Sequence, residues 1–192
     1  MRVRRSDVVT LPNGVTLLRL CLLPWYVLLM SDGRIVAGAF MLGSLGATDW
    51  VDGYLARRFN QVSELGKVLD PVVDRLVFFV GVSTALYYSG IPLWFGVAIL
   101  VREGFVALLM LIATLFGMQR FGVTYWGKWA TFLLLGAVPW VLVGSEGGVW
   151  QIFWVLGWIL AVPGLILSYI TAVQYIPMVR AHMGPSEYRK SP

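Results

Sequence analysis

The chain is 192 residues long, 58% hydrophobic and only 13% charged, with a mean hydropathy of +0.77. A soluble domain carries roughly a quarter charged residues, so this composition excludes a disordered chain, a nucleic-acid-binding domain and an ordinary water-soluble enzyme. The net charge of +5, from 15 Lys+Arg against 10 Asp+Glu, sits between apolar stretches, which points to anionic lipid headgroups and membrane topology rather than to nucleic acid.

In chain order, residues 1–14 carry Arg2, Arg4 and Arg5 ahead of an apolar run. Arg19 interrupts that run and no small-x-small cleavage site follows, so this start reads as a retained cytoplasmic tail or interfacial helix and not as a cleaved signal. Six apolar segments long enough to span a bilayer follow: 15–30, 35–56, 66–88, 92–116, 126–143 and 150–176. Turn-forming pieces separate them at Ser31-Asp32-Gly33, at Ser89-Gly90-Ile91-Pro92 and at Gly144-Ser145-Glu146-Gly147-Gly148. The expected fold class is an all-α integral membrane protein of six transmembrane helices with a polar cavity facing the cytoplasm. Residues 15–177 form the single domain and 178–192 a cytoplasmic C-terminal tail. Cys21 lies alone in an apolar run and His182 in the polar tail, so neither a disulfide framework nor a thiolate or imidazole metal site is expected.

Cations set the orientation. Arg2, Arg4 and Arg5, then Arg57, Arg58 and Lys67, then Arg120 and Lys128, then Arg180, Arg189 and Lys190 fall on one side, and the other side has Arg34. By the positive-inside rule both termini and the connection between the second and third spans face the cytoplasm, as in an inner or plasma membrane. Trp25, Trp94, Trp126 and Trp150 at span ends read as an interfacial belt.

Four aspartates lie in or beside the second and third spans: Asp49, Asp52, Asp70 and Asp74. Each costs about 2.5–3.5 kcal/mol at a helix centre, and an intramembrane ionisable group is by default a functional candidate. Asp49 and Asp52 are spaced i, i+3, and Asp70 and Asp74 i, i+4, so each pair shares a helix face. At 1.5 Å rise per residue, Asp49 is about 12 Å and Asp52 about 7 Å from Arg57, while Asp74 is about 10 Å and Asp70 about 4–5 Å from Lys67. All four carboxylates then sit at a similar depth, unless Pro71 kinks the third helix. A network with Arg57, Arg58 and Arg75 is one way to neutralise them. Two divalent ions are the other. An all-oxygen donor set without His or Cys favours a hard cation, Mg²⁺ with Mn²⁺ or Ca²⁺ as alternatives, and a paired-ion site suits phosphoryl transfer. Gly53, Ala56 and Gly66 permit close approach by a partner helix or a phosphate, and Arg57 is placed to grip a phosphate.

The run Asp49-Trp-Val-Asp52-Gly53-Tyr-Leu-Ala56-Arg57, then Gly66-Lys-Val-Leu-Asp70-Pro-Val-Val-Asp74, resembles the signature of the CDP-alcohol phosphatidyltransferase family, D-x2-D-G-x2-A-R-x8-G-x3-D-x3-D, at every fixed position. Weaker similarity extends to Pro12-Asn13, Thr16 and Arg19, to Arg102-Glu103 and to Gly127-Lys128. The resemblance implies six transmembrane helices, a homodimer, and transfer of a phosphatidyl or related group from a CDP-linked donor to an alcohol with release of CMP. It implies Asp49, Asp52 and Asp70 as metal ligands, Asp74 as metal ligand and general base, and Gly53, Ala56, Arg57 and Gly66 as nucleotide contacts. Within the family the chain looks most like the members that use CDP-diacylglycerol with glycerol 3-phosphate to make phosphatidylglycerophosphate, or with phosphatidylglycerol to make cardiolipin. Arg102 and Lys128 are the candidate contacts to an acceptor phosphate, and Arg102 has a salt bridge to Glu103 as its alternative. Glycerol 3-phosphate is the first reading of the acceptor, but Ala130 stands where phosphatidylglycerophosphate synthases commonly carry a second lysine, which brings phosphatidylglycerol, with its single charge, nearly level as the alternative. The roles of Asn13, Thr16 and Arg19, between nucleotide contact and helix packing, stay open. A cation- or proton-coupled transporter, or a bundle that merely binds anionic lipid, are the competing classes. The clustering of the acids toward one side, in register with small residues and Arg57, argues against a route across the whole bilayer.

Overall fold

The computed structural model describes residues 11–59, 66–88, 90–115 and 124–183, with side chains described over 14–48, 72–88, 90–115 and 124–177. Arg2, Arg4, Arg5, Arg120, Arg189 and Lys190 lie outside the described residues, as do the side chains of Asp49, Asp52, Gly53, Ala56, Arg57, Arg58, Gly66, Lys67, Asp70 and Arg180.

The described residues are helical apart from short connections, with no strand among them. Among the described residues six α-helices follow in order, α1 (Leu11–Ser31), α2 (Ile35–Phe59), α3 (Gly66–Tyr87), α4 (Leu93–Leu115), α5 (Tyr125–Gly144) and α6 (Gln151–Met183), with a 3-10 turn at Gly148–Trp150. Each matches an apolar segment of the sequence. The differences are at the ends, where α1 begins before Val15 and α6 continues through Pro177 into the expected tail. Helix α3 is continuous across Pro71. Pro24, Pro139, Pro163 and Pro177 also lie inside helices, which a packed bundle tolerates because neighbouring groups re-satisfy the freed carbonyls.

Among the described residues, four segments are long and apolar enough to cross a membrane, Gly14–Ser31, Leu93–Leu115, Tyr125–Gly144 and Gly148–Pro177, and α2 contributes a shorter apolar stretch, Ile35–Thr48. The apolar runs of α2 and α3 adjoin aspartates and basic residues in the sequence. Exposed Leu, Val, Ile, Phe and Trp cover the outer faces of the long helices, as expected where lipid tails replace water as the solvent.

The first and last helix pairs build the frame. Asp32-Gly33-Arg34 joins α1 to α2, with Gly33 in the left-handed region at φ +71, where glycine carries no Cβ penalty. Helix α5 begins at Thr124, whose hydroxyl accepts from the Gly127 amide at 3.2 Å, a side-chain N-cap. Helices α5 and α6 pack closely because glycines face backbone. A Cβ on Gly144 would lie 2.2 Å from the Trp154 nitrogen, and one on Gly157 2.7 Å from the Val141 nitrogen. The buried core between the helices includes Tyr26, Met30, Leu42, Leu45, Val77, Val82, Phe95, Ile99, Leu134, Val138 and Leu142.

Candidate active site

Helix α1 packs against both α2 and α3, which themselves touch only sparingly. Its buried stripe is Thr16, Arg19, Leu23, Tyr26 and Met30, a spacing of three and four residues that keeps one face inward. Two contacts from this stripe define how α1 lies on α3. The Arg19 guanidinium forms an ion pair with the Asp74 carboxylate, and the Tyr26 hydroxyl donates to the Gly81 carbonyl at 2.8 Å. Both pairs are 55 residues apart, so the two helices run parallel in one constant register over two turns.

Two further contacts tie α2 into the same frame. A Cβ on Gly38 would meet the Met30 sulfur at 2.7 Å, and one on Gly81 would meet Leu42 Cδ1 at 2.6 Å. The three-residue turn after Ser31 folds α2 back antiparallel to α1, and so to α3, which runs parallel to α1. Followed down the helices by equal numbers of residues, the Met30–Gly38 contact brings Arg19 level with Asp49, and the Leu42–Gly81 contact brings Asp49 level with Asp74. The Arg19–Asp74 pair closes the triangle, so the three registers agree with one another. One turn nearer the chain's basic end, Asp52 is level with Thr16 and Asp70 lies alongside. Gly43 against Pro139 and Gly46 against Leu135 extend the frame to α5, where Lys128 comes level with Gly53. By helix register, then, the four aspartates share one end of the bundle. The side chains of Asp49, Asp52 and Asp70 lie outside the described residues.

Asp74 is the aspartate whose side chain is described, and it is 36% exposed while Arg19 beside it is 3% exposed. Of the basic residues expected to neutralise the cluster, Arg75 is exposed and the side chains of Arg57 and Arg58 lie outside the described residues; among the described residues, Arg19 pairs with Asp74. The sequence carried a signal for this: Arg19 is a charge inside an otherwise apolar span. It bears on function only once α1 is laid against α3, because the partner is 55 residues away. A small apolar pocket is lined by Leu42, Val77, Phe78, Leu135, Val138 and Pro139, with Val77 and Phe78 about one turn along α3 from Asp74.

The two candidate acceptor contacts have different settings. Lys128 is exposed in the first turn of α5. Arg102 is buried at 4% exposure; it pairs with Glu103 and its Nε donates to the Ser168 carbonyl of α6 at 3.3 Å. That carbonyl also accepts from the Thr171 hydroxyl at 3.0 Å. Arg102 thus holds α4 to α6 and is engaged by both. Ala130, where a second lysine was expected in phosphatidylglycerophosphate synthases, is fully buried.

The family model for CDP-alcohol phosphatidyltransferases matches residues 9–167. The chain belongs to that family. The matched span contains the aspartate run, Arg19, Arg102 and Lys128, and it extends from α1 into α6. The chain is 34% identical over 190 residues to a cardiolipin synthase (CMP-forming) of Streptomyces coelicolor, covering 93% of this chain and 86% of that one. It is 35% identical over 164 residues to a putative cardiolipin synthase of Mycobacterium bovis, covering 84% and 78%. Similarity to the CDP-diacylglycerol--glycerol-3-phosphate 3-phosphatidyltransferase of Bacillus subtilis is 34% over 117 residues, covering 53% and 61%. As a CDP-alcohol phosphatidyltransferase the protein is a transferase of phospholipid synthesis, and its long apolar helices are those of a multi-pass membrane protein.

Proposed function

We propose that the protein transfers the phosphatidyl group of CDP-diacylglycerol to a hydroxyl of phosphatidylglycerol, forming cardiolipin and releasing CMP. The observation that carries the reaction class is the shared register of Arg19, Asp49 and Asp74, which gathers the aspartates at one end of the bundle. Two observations favour this acceptor. The relatives from Streptomyces coelicolor and Mycobacterium bovis, aligned over 93% and 84% of the chain, are named cardiolipin synthases, and Ala130 withholds the extra cation that glycerol 3-phosphate, with its greater charge, would welcome. Glycerol 3-phosphate is the second reading, favoured by the Bacillus subtilis relative.

Asp49, Asp52, Asp70 and Asp74 make an all-oxygen set of the kind that takes Mg²⁺, with Mn²⁺ as substitute, and two ions per subunit balance four carboxylates. Bound there, such ions supply positive charge that offsets the diphosphate and the departing CMP. The protein's own groups do the rest. Gly53, Ala56 and Gly66 let the nucleotide approach the backbone, and Arg57 holds a phosphate through its planar fork. Asp74 accepts the proton of the acceptor hydroxyl as that oxygen forms its bond to the lipid-side phosphorus and the bond from phosphorus to the CMP oxygen breaks. Lys128, exposed and level with Gly53, attracts the acceptor phosphate, with Arg102 deeper in the bundle as a second contact.

In this reading α2 and α3 complete six spans, 15–177 is the catalytic domain and the polar cavity opens to the cytoplasm, where both termini lie and where water-soluble CMP departs. The membrane is an inner or plasma membrane, and the working unit is a homodimer. The test is CMP release by purified protein with CDP-diacylglycerol and Mg²⁺, given phosphatidylglycerol, glycerol 3-phosphate or inositol phosphate in separate reactions. The phosphatidylglycerol reaction is expected to be fastest, and excess EDTA to abolish it. Full-rate turnover in EDTA would refute the divalent-ion site; release with glycerol 3-phosphate alone would establish the second reading.

A further inference from the structure

We infer that Arg19 is a positioning residue of the reaction centre: a built-in cation that holds Asp74 in place and, by its charge, weakens the hold of the aspartates on a divalent ion. This rests on the divalent-ion site proposed above and assigns a role on α1, outside the aspartate signature.

Three observations carry it. Arg19 is buried in the middle of an apolar helix, where a charge is costly. Its pairing with Asp74 repeats the 55-residue offset of the Tyr26–Gly81 bond, so helix packing holds the pair in place and the flexibility of a long side chain does not decide it. The register also brings Arg19 level with Asp49, at the junction of both aspartate helices. Arg75, the neighbouring cation on α3, is exposed and lacks that placement.

A guanidinium keeps its charge at all ordinary pH values and presents donors in a rigid plane. Beside Asp74 it has two effects. It fixes the carboxylate's orientation, which matters for a base because misplacement by about 1 Å costs about a hundredfold in rate. It also repels a dication bound by the same carboxylates, and in a partly desolvated site that repulsion is poorly screened. A purely structural ion pair makes the opposite prediction for ion binding: without Arg19 the aspartates would scatter and bind ions less well.

The experiment is Mn²⁺ binding to the full-length protein in nanodiscs, without donor or acceptor, followed by electron paramagnetic resonance, with CMP release measured in parallel. Arg19→Gln is expected to bind Mn²⁺ about tenfold tighter than wild type while turning over at least about tenfold more slowly. Unchanged or weaker Mn²⁺ binding by this variant overturns the inference. Arg19→Lys, which keeps the charge and serves where the glutamine variant does not fold, is expected to bind Mn²⁺ within about twofold of wild type, since the repulsion persists. Binding as tight as expected for glutamine would overturn the inference as well. Wild-type protein that takes up no Mn²⁺ would instead remove the divalent-ion site itself, and the role of Arg19 with it.

Discussion

The two ends of the bundle are built on opposite principles. At the end where α5 turns into α6, glycine is pressed against backbone, as with Gly144 on Trp154 and Gly157 on Val141, and the helices gain stability from close van der Waals contact. At the other end the same lipid-facing scaffold carries aspartates and a buried arginine, each unfavourable in hydrocarbon. Packing alone would never select Arg19 and Asp74 at their positions, since apolar residues would fill the space at lower cost. In the proposed reading one end serves stability and the other spends part of it on chemistry.

Substitutions that strike one end should spare the property supplied by the other. The largest effect is expected from Asp74→Asn, which keeps a hydrogen-bond acceptor for Arg19 but removes the base: CMP release should fall by about 10²–10⁴-fold with donor binding retained. Near-normal turnover would take Asp74 out of the proton transfer. Next is Gly144→Ala, whose new methyl would overlap the Trp154 backbone; overpacking of this kind costs about 1–3 kcal/mol. A lower Tm is expected with little change in turnover per folded molecule. Gly104→Ala is its control, because no atom lies within 4 Å of the added carbon, and Tm should hold or rise slightly. The smallest loss is expected for Tyr26→Phe, which removes the hydrogen bond to Gly81 and costs about 1 kcal/mol. If Tyr26→Phe slowed turnover more than it lowered stability, the register of α1 on α3 would be more sensitive than a pair of packed helices should be.

Much of this molecule was legible in its residues. The six apolar segments became six helices, since in hydrocarbon a backbone has no other way to satisfy its polar groups than helix or closed barrel. The aspartates announced themselves by cost. Arg102 is engaged by Glu103, the partner its sequence neighbour offered, but its second contact, the Ser168 carbonyl 66 residues away, was not readable from spacing. The basic residues near the aspartates in sequence suggested Arg57, Arg58 and Arg75 as counter-charges, whereas the ion pair to Asp74 among the described residues comes from Arg19, 55 positions away. Proximity along a chain is a weak guide to charge pairing once helices pack in parallel.

The residues by themselves determined that this is a helical membrane protein of the CDP-alcohol phosphatidyltransferase family, because hydropathy and the spacing of acids on a helix face are local properties. Only the tertiary structure decided that α1 is laid between α2 and α3, that Arg19 reaches Asp74, and that Ala130 is sealed in the interior. Those outcomes depend on which ridge fits which groove across dozens of residues, and no local pattern encodes that fit.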